Sequence, residues 1–340
     1  MVASNAGAEM KELLTPNQVA KAIGVSESSL KRWADQGRIP FVRTAGGHRR
    51  LPIASVLEFV REQGLELVDA TVLGLPAATG SGARTLDRGR TSLIEAFKAG
   101  SFEAAVRVVI DLYLVPYPLS EIFDRVIQPA LVTVGDHWES GQMEVYEERR
   151  SVEFCARLLH ELSTMQVRPD ADAPLAIGGT LDGDPYTTAS KMVELVLRSS
   201  GYRAVSCGNE LPFETIFKAV ENERPALFFL SISAIRDPAA FKTHLNQFFQ
   251  HCEDHSTLLV VGGKAMEEPI RRDLRYHGFC DTMAQFESFA RSHFPALKAR
   301  NQADRANSAN SGMNGVNGSA TGNGSSHGNG KSNGKSNGTA

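Results

Sequence analysis

The chain has 340 residues, 42% of them apolar and 22% charged, with a formal net charge of −3. That size and balance predict two or three domains, each with its own core. No apolar run reaches the ~18–20 residues needed to cross a bilayer, and Met1 to Met10 lacks the apolar centre of a signal peptide, which excludes membrane-spanning and secreted classes. Cysteines 155, 207, 252 and 280 form no Cys-x-x-Cys pair, the pattern expected of reduced thiols, and a cytoplasmic protein is expected.

Residues 1 to 11 are expected to be a flexible N-terminus, and residues 12 to 70 a small DNA-binding unit. Thr15-Pro16 is a helix start, a hydroxyl cap followed by proline at the first helical position, where its missing N–H costs nothing. Val19, Ala20 and Ile23 give a short apolar face, and Gly24 ends the helix. Ser26 caps a second helix over Glu27 to Gln36, in which Leu30 and Trp33 face inward together and Lys31 and Arg32 face away. The run Phe41 to Pro52 predicts a β-hairpin tipped by Gly46-Gly47.

Six Lys or Arg (31, 32, 38, 43, 49, 50) fall between Ser26 and Arg50, against Glu27 and Asp35. A basic patch on a mildly acidic chain suits a phosphate backbone. Ser26, Ser28, Ser29, Lys31 and Arg32 on the second helix are the expected base-edge and phosphate contacts, with Arg43, Thr44, His48, Arg49 and Arg50 on the hairpin wing. The ordinary alternative is a solvated charged face. The segment resembles the MerR/excisionase-type winged helix-turn-helix domains in Arg43, Thr44 and Gly46 to Arg50; Leu51 replaces their usual aromatic.

Leu73 to Arg90 is rich in Gly, Ala, Pro, Thr and Ser, and residues 71 to 90 are expected to be a flexible linker. Residues 91 to 168 read as a four-helix bundle: Leu93, Ala96 and Phe97 mark one apolar face and Phe102 to Ile110 a second. A third helix is expected over Leu119 to Trp138 and a fourth over Val145 to Leu162. Residues 174 to 296 alternate strands (Leu175–Thr180, Gly201–Cys207, Ala226–Ser233, Leu258–Val261) with helices (Thr188–Ser199, Pro212–Asn222, Pro238–Phe249, Gln285–His293). Continuous apolar strands between helices predict a parallel sheet covered on both faces, with ligands at the carboxyl ends of its strands. Residues 297 to 340, mostly Asn, Gly, Ser, Lys and Ala, are expected to be a disordered tail. The fold class is therefore multidomain α and α/β: winged helix-turn-helix, four-helix bundle, doubly wound sheet domain and tail.

This order of parts resembles the cobalamin-binding transcriptional regulators of the CarH/LitR type, over about residues 12 to 295. The resemblance rests on Val134 to Val145, with Trp138; on Asp184 to Ala189; on Ser231 to Ser233; and on Gly262-Gly263. It implies adenosylcobalamin between bundle and sheet, acting as a light sensor for carotenoid-type genes. On that resemblance Trp138, Glu148, Asp184, Tyr186, Ser231, Ser233, Gly262 and Gly263 are the candidate cofactor contacts. Tyr186 stands where the family has its lower cobalt ligand histidine, Ala189 where it has glycine, and Arg149 where it has the upper-face histidine. A neutral phenol with a pKa near 10 is a poor substitute for imidazole.

Three departures together point to a DNA-binding regulator independent of cobalamin, with base-on cobalamin binding without a protein ligand staying open. An adenosylcobalamin-dependent, light-responsive repressor is the alternative, and a corrinoid carrier of a methyltransferase a third. No nucleophile–base constellation supports an enzyme. His251 and His255, spaced i and i+4, are read as a polar helix end rather than a metal pair, so no metal is expected. Expected partners are operator DNA, further copies of the chain in a homo-oligomer, and a small molecule or protein at the C-terminal module; nucleoid association follows from DNA binding.

Overall fold

The computed structural model describes residues 13–80 and 85–314, with side chains to residue 305. The expectations for residues 1–11, 81–84 and 315–340 lie outside the described residues. Strand β1 (Leu13–Leu14) precedes α1 (Pro16–Ala22) and α2 (Glu27–Asp35); the wing is β2 (Val42–Arg43) and β3 (Arg49–Pro52), and α3 (Ile53–Glu62) follows. The three strands pair antiparallel in the order β1-β3-β2. Thr15 and Gln18 form a capping box, Gln18 N donating to Thr15 Oγ1 at 3.2 Å and Thr15 N to Gln18 Oε1 at 2.9 Å. Gly24 turns the chain with φ +69°, a conformation that favours glycine. Leu14, Val19, Leu30, Leu51, Val56 and Leu57 are fully buried and close a core that α3 completes.

The expected linker is corrected by the structure. Ala70–Leu73 forms a 3-10 turn, Leu73, Leu75 and Thr79 are buried, and Gly80 N donates to the Asp111 carboxylate. Two leucines in an otherwise small, polar run give this strap apolar surface to bury, which composition alone hides. The bundle comprises α4 (Leu86–Lys98), α5 (Phe102–Tyr113), α6 (Leu119–Ile122), a π-helical turn at Phe123–Ile127, α7 (Gln128–Glu139) and α8 (Val145–Met165). Pro129 has no N–H for the carbonyl of Arg125, and the widened turn falls there.

The sheet domain runs β4 (Leu175–Gly179), α9 (Thr188–Ser199), β5 (Arg203–Ser206), α10 (Phe213–Glu223), β6 (Leu227–Ser231), α11 (Pro238–Asp254), β7 (Leu258–Gly262), α12 (Glu268–Arg271), β8 (Gly278–Cys280) and α13 (Met283–Asn314). All five strands are parallel in the order β5-β4-β6-β7-β8, so the topology reverses between β4 and β6. Val196, Leu197, Tyr202 and Ala290 fill one face; Val220, Leu245, Phe248 and Leu259 fill the other. The disordered tail expected from residue 297 is corrected for residues 297–314, where α13 continues to Asn314. Its extension is held by Asn301 Nδ2 donating to Asp172 O at 2.6 Å and Arg305 Nη2 to Ala171 O at 3.0 Å.

Candidate nucleic-acid interface and sensory module

The helix-turn-helix presents α2 and the wing side by side. Ser26 is the N-cap of α2: its Oγ accepts from Ser29 N at 3.1 Å and lies 2.9 Å from the hydroxyls of both Ser28 and Ser29. Ser26 therefore caps α2, which places its hydroxyl at the helix start beside those of Ser28 and Ser29. Ser28, Lys31 and Arg32 are exposed. Lys31 Nζ sits 2.7 Å from Glu27 Oε1; that contact, and then the Asn17 amide, hold the Glu27 carboxyl below its ordinary value. Arg32 makes no ion pair among the described residues and projects its charge outward.

On the wing, Thr44 N donates to His48 O at 2.9 Å and Gly47 N to Thr44 O at 2.8 Å, closing the tip, while Thr44 Oγ1 accepts from His48 N at 3.2 Å. Arg43 Nη1 donates to Gly47 O at 3.3 Å, and Arg50 Nη1 to Arg49 O at 3.1 Å. Arg43 and Arg49 lie 5.6 and 5.4 Å from the Phe41 ring centre, so one aromatic orders two guanidinium groups. Arg49 also pairs with Asp35. Phe41 and Asp35 are missing from the residues expected of this interface, although their place between the basic positions was visible.

In the sheet domain the candidate residues gather at the carboxyl edge near the β4–β6 reversal. Asp184 is buried; it accepts Tyr186 N at 3.2 Å and Ala234 N at 3.3 Å, and also Ser233 N. Its carboxylate thus ties the loop after β4 to the loop after β6. Tyr186 is 54% exposed and carries the Lys264 ammonium 5.2 Å from its ring centre. Ser231 is 5% exposed, and its Oγ has no hydrogen-bond partner among the described residues. Gly262 packs against Cys280 O and Gly263 against Ile232 O, where an added Cβ would lie 2.5 and 2.3 Å away; Gly263 also has φ +112°. Both glycines therefore serve contacts within the sheet edge itself.

Trp138, at the end of α7, is 43% exposed. Glu148 on α8 is largely covered, and its carboxylate lies 3.3 Å from Arg149 Nε. The His251 and His255 rings lie 4.3 Å apart and tilted by 40°; His251 Nε2 is 3.3 Å from Phe217 O and His255 Nδ1 2.9 Å from His251 O. Among the described residues no three His, Cys, Asp or Glu side chains gather as a metal site. Nor is any described helix long and apolar enough to cross a membrane.

A helix-turn-helix domain model matches residues 13–64, and a B12 binding domain model matches residues 90–162. The chain is 26% identical over 253 residues to the HTH-type transcriptional repressor CarH of Myxococcus xanthus, covering 69% of this chain and 83% of that one. It is 22% identical over 159 residues to methionine synthase of Mycobacterium tuberculosis, spanning 46% of this chain but 13% of that enzyme. The monomethylamine corrinoid protein of Methanosarcina barkeri aligns at 15% identity with a TM-score of 0.49, over 61% of this chain and 99% of that one. The chain joins an N-terminal helix-turn-helix domain to a C-terminal cobalamin-binding-like module, matching the CarH-type regulators. Of these relatives, the one that also carries a helix-turn-helix in its name is a transcriptional repressor, whereas methionine synthase matches over 13% of its own length.

Proposed function

We infer that this chain is a MerR-type repressor that binds double-stranded operator DNA as a homo-oligomer, with the C-terminal module as its sensory half. The observation that carries this is the shared face of α2 and the wing, where Arg32 is exposed with no ion-pair partner among the described residues and Phe41 orders Arg43 and Arg49. Ser28, Ser29, Lys31 and Arg32 serve the major groove; Arg43, Thr44, His48, Arg49 and Arg50 grip flanking phosphates. A unit this small reads one half-site, so specificity requires at least two copies.

Two sensory readings compete. The similarity to CarH and to B12 binding domains favours adenosylcobalamin-dependent, light-responsive repression over independence from cobalamin. The residues fit a corrinoid in part. The unpartnered Ser231 hydroxyl offers a hydrogen bond at the sheet edge, and Trp138 and Glu148 offer an aromatic surface and a carboxylate on the bundle. At the cobalt they do not fit histidine ligation: Tyr186 replaces imidazole, and Asp184, which would orient such a ligand, spends its oxygens on three backbone N–H groups. Bound adenosylcobalamin would supply a light-sensitive signal; the chain would hold it without a histidine on the metal. That same Asp184 geometry is what supports the second reading, regulation without cobalamin.

Purified protein is incubated with adenosylcobalamin in the dark, its visible spectrum recorded after desalting, and its size followed by gel filtration before and after illumination. A retained corrin band with a light-dependent change in size supports the cobalamin-dependent repressor. No retained band rejects it in favour of cobalamin-independent regulation.

A further inference from the structure

A cleft of about 2320 Å3 opens where the start of α3, the strap, α5, α8 and the outer strand β5 meet. It reaches Leu175 and Arg203, the first residues of β4 and β5, so it lies at the end of the sheet opposite the loops of Tyr186 and Ser231. Three separate elements leave apolar surface facing this space. Leu13 on β1, Val167 after α8 and Val205 on β5 line it while 48%, 38% and 48% exposed. Phe102 and Phe154, with ring centres 5.4 Å apart, line it as well. An apolar patch rimmed by charge marks a binding groove. The rim here is basic. Arg157 sets its guanidinium 3.8 Å from the Phe102 ring centre and, like Arg168, has no ion-pair partner among the described residues. Arg198 is spent on Glu194, and Glu103 and Glu161 offset only part of the positive charge. With its face on Phe102, Arg157 keeps its N–H edge for a planar anion, and a carboxylate accepts from that edge in two parallel bonds. An added strand does not account for the cleft, because the outward backbone of β5 is already occupied. Ser206 N donates to Glu194 Oε2 at 3.1 Å, and Ala204 O accepts from Arg198 Nε at 3.3 Å.

We propose that this cleft binds an extended amphipathic carboxylate, a long-chain fatty acid, with its carboxylate on Arg157 and its acyl chain along Phe102, Val167 and Val205. The volume exceeds the roughly 300–1,000 Å3 of compact ligand pockets, which suits a long ligand over a small rigid one. The site goes beyond the repressor reading and needs neither a corrinoid nor DNA. Because the cleft touches the start of α3, the strap and β5 together, its ligand bridges the DNA-binding unit and the C-terminal module.

The test is calorimetric titration of the full chain with dodecanoate below its micelle concentration. Acetate and dodecylamine are titrated beside it: the first keeps the carboxylate without the chain, the second the chain with the opposite charge. Saturable binding of dodecanoate, at least about tenfold tighter than of either control, is expected. Arg157→Gln should weaken it about tenfold by removing the anion's partner, and Val205→Glu by a similar factor by setting a like charge in the apolar wall. Arg157→Lys keeps the charge without the fork and should lose less. No saturable binding overturns the proposal, as does dodecylamine bound as tightly as dodecanoate, or an affinity unchanged in both Arg157→Gln and Val205→Glu. Arg157 and Val205 are solvent-exposed, and an unchanged melting temperature in each variant shows that a lost affinity is not a lost fold.

Discussion

Arg49 on the wing strand β3 pairs with Asp35 in the last turn of α2, joining the two elements proposed to face DNA. Its Nε is buried without a partner, and its guanidinium also lies against Phe41. The wing is thus held at a fixed angle to the helix before any phosphate arrives, which lowers the ordering cost of binding.

Replacing both wing arginines, Arg49→Ala with Arg50→Ala, is expected to weaken operator binding about tenfold or more. The slope of log affinity against log salt should fall by about two, because each phosphate contact releases counterions. Binding measured across a salt series decides it, and an unchanged slope removes the wing from the interface. Asp35→Ala should steepen the slope, because Arg49 loses its acidic partner and becomes available to phosphate, while the loosened wing offsets part of the gain in affinity. Its effect on stability should stay below about 1 kcal/mol, since the pair is partly solvated.

Arg61 on α3 donates to Tyr117 O and lies 5.0 Å from the Tyr113 ring centre, while Tyr113 OH donates to Met165 O at 3.4 Å. The two Arg61 contacts dock the DNA-binding unit on the bundle, together with the strap at Leu73 and Leu75. Arg61→Ala should cost about 1–3 kcal/mol in denaturant unfolding. It should also speed limited proteolysis between residues 62 and 85. Equal cleavage rates in the parent and the variant would show that the docking is not maintained in solution.

The sequence reveals what depends on near neighbours. Thr15-Pro16 and Ser26 mark their helix starts, and α9 occupies Thr188–Ser199, the span its pattern predicts. It conceals what depends on distant ones. Strand β1 is two residues long and exists only because β3 pairs with it, and β8 needs β7 in the same way. The burial of Leu75 and the extension of α13 past His293 follow from surfaces supplied by other domains. The candidate site divides likewise. Tyr186 is visible as a replacement in a motif, but the occupation of Asp184 by Ser233 and Ala234, about fifty residues on, and the approach of Lys264 to Tyr186 follow from strand order.

The thiols should respond unequally. Burial pushes Cys155 and Cys252 up to about 12 and Cys280 to about 11, whereas Cys207 is exposed at the end of β5. A disulfide-exchange reagent at pH 8 should titrate one thiol rapidly in the native chain and four after denaturation. Because the folded state keeps these protons longer than the unfolded one, stability should fall as pH rises from the ordinary thiol value of 9.0 toward about 12. Cys155→Ala should flatten that fall, though it also leaves a small cavity. A native chain that exposes two or more fast thiols contradicts the packing of α8, α11 or β8.

Asp184 gives the sharpest test of the sensory module's edge. Its carboxylate accepts three backbone N–H groups from two loops, and charge-assisted bonds to a buried acceptor are stronger than neutral ones. Asp184→Ala leaves those donors unmatched and should cost about 2–4 kcal/mol, whereas Asp184→Asn keeps one acceptor oxygen and should cost about half as much. Hydrogen exchange at Ser233 and Ala234 should accelerate in the alanine variant while β7 stays protected, because β6 and β7 keep their own ladder. If exchange at the two amides is unchanged, the tie between the loops after β4 and β6 is absent in solution. Asp184 would then be free to orient a cofactor ligand, leaving Tyr186 and Arg149 as the residues that disfavour histidine-type ligation.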